Sequence, residues 1–232
     1  MSCSIVIPTY NRKKFEKLIS FNIQSQTYKH ILEVVIADDG LEEEKLELKI
    51  PYPIVYVRCA RMSIGEKRNL LAKTAKGEYI AHMDTDDLYF PEYIDSSIQL
   101  MKEKKKNATG TSDMIFLFKD GHAGSMRNLL LSMANEATLV YKKSFWEQGP
   151  FSTKQTNEGI SFLLGRHWEI GHSAIHRVMI CLCHEENTVD KNVWRKPNTI
   201  QLPSYTPYEP FLKELGFLIP SVSGPSVSGP SV

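Results

Sequence analysis

The chain has 232 residues, 42% hydrophobic and 24% charged, with a formal net charge of +1; this is enough for a full core with ordinary globular composition. The near-neutral balance argues against a general binder of nucleic acid or anionic membrane surfaces, and no apolar run reaches the roughly 18–20 residues of a membrane span. The four cysteines, Cys3, Cys59, Cys181 and Cys183, match no usual zinc spacing and read as buried thiols in a reducing compartment. The N-terminus lacks a basic segment followed by an apolar one, so the expected location is cytoplasmic.

Ser4 to Ile7 reads as a short apolar strand closed by Pro8, Thr9, Tyr10 and Asn11, with Asn11 expected to cap a helix bearing Phe15, Leu18, Ile19 and Ile23 on one face. Glu33 to Ala37 is a second buried strand ending in Asp38-Asp39-Gly40. Leu41 to Lys49 is charged and expected to be helical. Ile54 to Val57 gives a third strand, and Ile64 to Lys76 a helix stopped at Gly77. Glu78 to Met83 is a fourth strand, ending in Asp84, Asp86 and Asp87. Continuous rather than alternating apolar strands predict an α/β fold with a parallel sheet covered on both faces.

After Pro91 a helix carries Tyr93, Ile94, Ile98 and Met101 on one face, and the charges of 103–106 read as its solvated end. Strands at Met114 to Phe118, Thr138 to Tyr141 and Arg177 to Cys183, with a helix at Glu158 to Trp168, form α+β material added to the first half. From Pro220 a PSVSG repeat has no core-forming capacity and reads as a flexible linker or tail, with further domains conceivable beyond it.

Three strand ends thus carry polar tips, and in a parallel sheet they lie along one edge where a ligand binds. Asp84 and Asp86 project to one side of extended backbone, about 6.5–7 Å apart at about 3.3 Å per residue, so the chain must turn for both to reach one small ion. All-oxygen ligands favour Mg²⁺ or Mn²⁺; the plainer reading is an acidic turn with Asp87 capping the following helix. The start of the helix at Gly65-Glu66-Lys67-Arg68-Asn69 places Arg68 to pair with phosphate or a strand-end acid.

Taken together, SIVIPTYNR, IADDG, KRNLLAKTAKGEYI and MDTDDLYFP resemble, in order and spacing, the nucleotide-sugar half of GT-A fold glycosyltransferases of family 2. The resemblance implies a Rossmann-like, mostly parallel sheet flanked by helices. Residues 1–106 would form the nucleotide-sugar half and 107–219 an acceptor half of the same domain, with 220–232 as the flexible tail. It further implies a UDP-sugar donor, with Pro8, Thr9, Tyr10 and Asn11 around the nucleoside and Asp39 accepting from the uracil imide. Arg68 would stand near the base and phosphates, Asp84 and Thr85 at the ribose, and Asp86 and Asp87 at a divalent metal, with His184 approaching the diphosphate or that metal. Family members carry an acidic base on a helix of the second half, often as Glu-Asp. Glu158 fits the first acid, and Gly159 stands where the second often lies; Asp113, Glu136 and Glu147 are weaker candidates for the base. Trp146, Trp168 and Trp194 offer faces for a sugar or, more simply, for core packing.

The function this predicts is transfer of a sugar to an acceptor hydroxyl, such as that of a glycan, with inversion. A sugar nucleotidyltransferase or a non-catalytic sugar-nucleotide or glycan-binding domain is the alternative. No phosphate loop of the form G-x-x-x-x-G-K-[ST] is present, and D-x-D at the fourth strand rather than the first departs from the haloacid dehalogenase phosphatases.

Overall fold

A computed structural model describes residues 1–126, 134–187, 189–195 and 205–219. The expected PSVSG tail, 220–232, and Thr188 lie outside the described residues. Strands β1 (Cys3–Thr9), β2 (Ile31–Asp38), β3 (Ile54–Arg58) and β4 (Tyr79–His82) pair in parallel in the order β3-β2-β1-β4. Beside β4 the sheet continues through β9 (Val140–Lys142), antiparallel to it, then β6 (Ala108–Gly110) and β10 (Ile170–His172). Strands from either side of residue 106 therefore share one sheet. A second sheet has the order β5-β11-β7-β8, from β5 (Leu88–Tyr89), β7 (Met114–Phe118), β8 (Ala123–Met126) and β11 (Met179–Cys183). The helices are α1 (Glu16–Gln24), α2 (Ile64–Thr74), α3 (Tyr93–Glu103), α4 (Lys143–Glu147), α5 (Glu158–Leu163) and α6 (Glu209–Glu214).

Alternation along the central strands divides the core between the two faces, as buried parallel strands require. Ile5, Ile7, Val34 and Ile36 pack with Ile19 and Ile23 of α1 and with Ile94 and Ile98 of α3. Val6, Val35, Ala37 and Ile80 face Leu71 and Ala72 of α2 and the aromatic rings of Phe151 and Phe162. A third cluster joins Leu88, Ile115, Leu117, Ile180 and Leu182 of the small sheet to Tyr208 and Leu212.

The helix expected from Glu158 to Trp168 ends at Leu163, where Leu164 turns extended, and local chemistry departs from the sequence expectations at three further places. Asn11 does not cap α1: it adopts a left-handed φ of 51°, and its Oδ1 accepts from Leu41 N at 2.8 Å. Residues 41–49 are not a helix beyond a single turn at Glu42–Glu44. Leu46 and Leu48 are buried two residues apart, an extended period that docks the segment on the core. Its amides are taken by side chains, Leu46 N by Tyr56 Oη at 3.1 Å and Lys49 N by Ser20 Oγ at 3.3 Å. By contrast α2 begins where expected, through a capping box in which Ser63 Oγ accepts from Glu66 N and Glu66 Oε2 from Ser63 N.

Gly77 is the third case. It does not end α2, which stops at Thr74 with Ala75 after it. Its amide donates to Ser4 Oγ at 2.9 Å, that hydroxyl donates to Glu33 Oε1 at 2.9 Å, and Lys76 N donates to the same oxygen at 2.7 Å. A Cβ at position 77 would fall 2.5 Å from Ser4 N, so only glycine lets the chain run this close to β1. Gly77→Ala should therefore destabilise the fold by about 1–3 kcal/mol, the usual cost of overpacking. The effect should read as a lower urea midpoint at unchanged m-value; a midpoint equal to the wild type would refute the packing argument.

Candidate functional site

The three strand-end tips meet at one rim, held together by cations that mostly escaped the sequence reading. At the end of β1, Thr9 is buried with its hydroxyl unpartnered among the described residues, and Pro8 sits in register with Ala37 of β2. Lys67 Nζ donates to Thr9 O at 2.8 Å and to Asp39 Oδ1. Arg61 Nη1 is 3.2 Å from both Asp39 oxygens, Met62 N donates to Oδ2 at 3.1 Å, and the guanidinium lies over the Tyr10 ring at 3.7 Å. Burial pushes the Asp39 carboxyl up, but the hydrogen bonds from Lys67 and Met62 outweigh it and hold it below its ordinary value. Asp38 turns the other way, receiving Tyr56 Oη, Arg58 Nη1 and Gly40 N, and so shapes the turn. Gly40 is needed there because a Cβ would meet Asn11 N at 2.8 Å.

At the end of β4 the chain leaves the sheet after His82, and the acids separate. Asp86 Oδ2 accepts from Arg12 Nε at 3.1 Å and lies 3.2 Å from His184 Nε2, so the first tip, the third tip and the end of β11 meet here. Burial raises the Asp86 carboxyl, while the His184 hydrogen bond and the Arg12 charge override it and keep it low. Two ligands at right angles about 2.1 Å from one ion stand about 3.0 Å apart, close to this oxygen–nitrogen separation. The pair therefore fits two positions of a Mg²⁺ or Mn²⁺ that takes its other ligands from phosphate and water. Among the described residues no group of three or more His, Cys, Asp or Glu side chains could hold an ion unaided.

Asp87 does not stand with Asp86. Its Oδ1 accepts from Leu182 N at 3.0 Å and its carbonyl from Asn22 Nδ2 at 2.8 Å. Burial, reinforced by Cys181 and the neighbouring acids, pushes its carboxyl well up. Its Oδ1 pins the turn to β11, and it caps no helix. Thr85 is buried beside it.

Asp84 belongs to a third cluster, around Arg68. The Arg68 guanidinium donates through Nε to Glu158 Oε1 at 2.9 Å and through Nη1 to His82 Nδ1 at 2.8 Å. The same group lies 3.4 Å from Asp84 Oδ1. Burial disfavours that charge, but Asp84, Glu158 and Glu136 outweigh it and raise its pKa. Arg68 thus spans the acid that follows β4 and the start of α5; among the described residues its Nη2 reaches only Asp84 Oδ2, at 3.5 Å. Of the other candidates, Trp146 donates to Asn69 Oδ1 at 2.9 Å, Trp194 stacks on Phe116, and Trp168 is exposed. Lys67 neighbours Arg68 in a helix first turn, a signal that could have found it; nothing local in the sequence marks Arg12 or Arg61 as partners of Asp86 and Asp39.

His82 reports on this cluster. Arg68 has no acceptor, so His82 Nδ1 must accept, and Nε2, 3.0 Å from Tyr141 Oη, carries the proton. Burial and then the Arg68 charge push its pKa well below the ordinary 6.5. In the unfolded chain the ring binds a proton near pH 6.5 and in the folded chain it does not, so stability rises with pH across that window and is lost as pH falls below it. His82→Gln should flatten this part of the stability–pH curve in urea titrations; an unchanged slope between about pH 5 and 7 would count against a buried neutral imidazole.

A family model described as glycosyl transferase family 2 matches residues 4–159, which include all three tips and Glu158. An uncharacterized glycosyltransferase of Haemophilus influenzae is 27% identical over 101 residues, 43% of this chain and 34% of that protein. The Staphylococcus aureus poly(ribitol-phosphate) beta-N-acetylglucosaminyltransferase TarS is 27% identical over 133 residues, 50% of this chain and 23% of the relative. The matched stretch is about a third or less of these relatives' length. Among solved structures, S. aureus TarS 1-349 in complex with UDP-GlcNAc aligns at a TM-score of 0.59 and 19% identity, covering 81% of this chain and 60% of that one. The mannosyltransferase PcManGT from Pyrobaculum calidifontis in complex with GDP-Man and Mn2+ aligns at 0.55 and 14%, covering 92% and 68%. These likenesses establish the GT-A type of fold: a mixed α/β domain on a mostly parallel sheet. With the family match running through more than half of its length, the chain belongs to glycosyl transferase family 2.

Proposed function

We propose that this chain moves a sugar from a UDP-sugar to an acceptor hydroxyl in glycan synthesis, inverting the anomeric carbon in a single displacement and using Mn²⁺ or Mg²⁺. The observation that carries the reading is the meeting of three strand ends, distant in sequence, through Lys67 to Asp39, Arg12 to Asp86 and Arg68 to Asp84. Family membership and the UDP-GlcNAc complex of a protein of like fold support it.

In this reading the base lies against Tyr10 among Pro8, Thr9 and Asn11, and Asp39, kept ionised by Lys67, accepts from the uracil imide. Asp84 and Thr85 face the ribose. Arg68 orients Asp84 and keeps an Nη2 N–H for a phosphate oxygen. Asp86 and His184 would hold the divalent ion. When bound, it would neutralise charge on the departing diphosphate. Arg12, beside Asp86, adds a second positive charge at the same place. Residues 1–106, with His184, would serve the donor, and the rest of 107–219 the acceptor, a glycan or another hydroxyl compound. The acceptor half supplies a base from the carboxylates at the start of α5, Glu158 and its neighbour Glu136, which takes the hydroxyl proton as the oxygen attacks.

The test is UDP release from UDP-glucose, UDP-galactose or UDP-N-acetylglucosamine with Mn²⁺, beside calorimetric binding of UDP. The wild type should bind UDP and release it from at least one donor. Asp86→Ala should keep its thermal unfolding profile and lose at least about 10²-fold in metal-dependent turnover. Full turnover in that variant would remove the metal assignment. Binding of UDP without release or transfer would favour a non-catalytic module.

A further inference from the structure

Position 159 is glycine, yet the space its side chain would occupy is filled. A Cβ built on Gly159 falls 2.5 Å from Glu136 Oε1 and 2.7 Å from Glu136 Cγ. The same carboxylate is fixed by the Gly159 amide, which donates to Oε1 at 2.8 Å. An acid from the short turn Glu136–Thr138 before β9 therefore sits where an acidic side chain on the first turn of α5 would project.

That turn is tied to the rim. Tyr89 Oη accepts from Asp84 N at 2.9 Å and donates to Ala137 O at 3.0 Å, which puts one hydroxyl between the backbone of Asp84 and that of Ala137, the residue after Glu136. The other carboxylate here, Glu158, is 5% exposed and bound to Arg68 at 2.9 Å. Taking up a proton would leave the Arg68 guanidinium short of an anion in a buried site, which is costly. Glu136 is half-buried and stands beyond ion-pair distance of any cation among the described residues, so a proton on it costs Arg68 only a longer-range attraction and leaves the Glu158 contact intact.

We propose that Glu136, from outside α5, is the general base of the transfer, standing in for the side chain that Gly159 lacks, and that Glu158 is a positioning residue that holds Arg68. The proposal deepens the sugar-transfer reading and rests on it. The acceptor hydroxyl oxygen forms a bond to the anomeric carbon. The bond from that carbon to the β-phosphate oxygen breaks, its electron pair leaving with the nucleoside diphosphate, and the hydroxyl proton passes to the Glu136 carboxylate. Burial raises the Glu136 carboxyl, the charge of Glu158 raises it further, and Arg68 and the Gly159 amide oppose them. The net upward direction brings it nearer the working pH, as a base requires.

Glu136→Gln, close to isosteric and still able to accept from Gly159 N, should lower kcat by about 10²–10⁴-fold, leave UDP affinity unchanged, and abolish the acidic limb of the pH–rate profile. The probe is whichever of UDP-glucose, UDP-galactose or UDP-N-acetylglucosamine the wild type turns over with Mn²⁺. The double variant Glu136→Ala with Gly159→Asp returns a carboxylate to the same volume and should recover at least tenfold over Glu136→Ala alone. A Glu136→Gln enzyme with wild-type kcat and an intact acidic limb overturns the assignment. Carbon-13 titration of the unliganded protein supplies a readout free of turnover: Glu136 should titrate above its ordinary 4.5, and a value at or below that also overturns it. A wild type that neither binds UDP nor releases it defeats the transfer reading itself, a result distinct from an active Glu136→Gln.

Discussion

The buried guanidinium of Arg68 is the constraint on which the rest of the rim depends. It reaches back from α2 to the acid that ends β4 and forward to the acid that begins α5. Removing one partner from such a buried group typically costs about 3–5 kcal/mol, because the remaining charge is left unpaired. That penalty ties the end of β4 to the start of α5. Of the two roles the sequence offers Arg68, partner of phosphate or of a strand-end acid, the second is the one seen, through Asp84.

Much of this arrangement was legible in the sequence, for definite reasons. The central strands announce themselves as unbroken apolar runs: the segments marked at Ser4, Glu33 and Ile54 lie inside β1, β2 and β3, and β4 lies inside the one marked at Glu78. The polar tips follow directly, because a parallel sheet puts successive carboxyl ends on one edge. The extended 41–49 segment was hidden because its charged residues also suit a helix, while only the tertiary dock of Leu46 and Leu48 decides the period. Asn11 misled in the same way, since the side chain that caps helices also bridges turns.

The D-x-D-D run shows where pattern reading ends. Three acids within four residues look alike in charge, yet Asp84 pairs with Arg68, Asp86 meets Arg12 and His184, and Asp87 turns inward to the β11 amide. Which carboxylate faces the rim depends on the turn after His82, and that turn is set by Tyr89 and Asn22, neither of which carries a motif. Pairings such as Arg12 with Asp86, or Glu136 with Gly159, join segments far apart in the chain and leave no local trace.

Arg61 resting on Tyr10 has a thermodynamic consequence of its own. The flat face that would welcome a nucleobase is not bare: it already carries a cation anchored to Asp39. In the reading proposed above, a nucleobase taking this face displaces the cation, so its net gain is the difference between two stacking partners rather than the strength of either. The guanidinium, once displaced and more than half exposed, is free to swing over its successor.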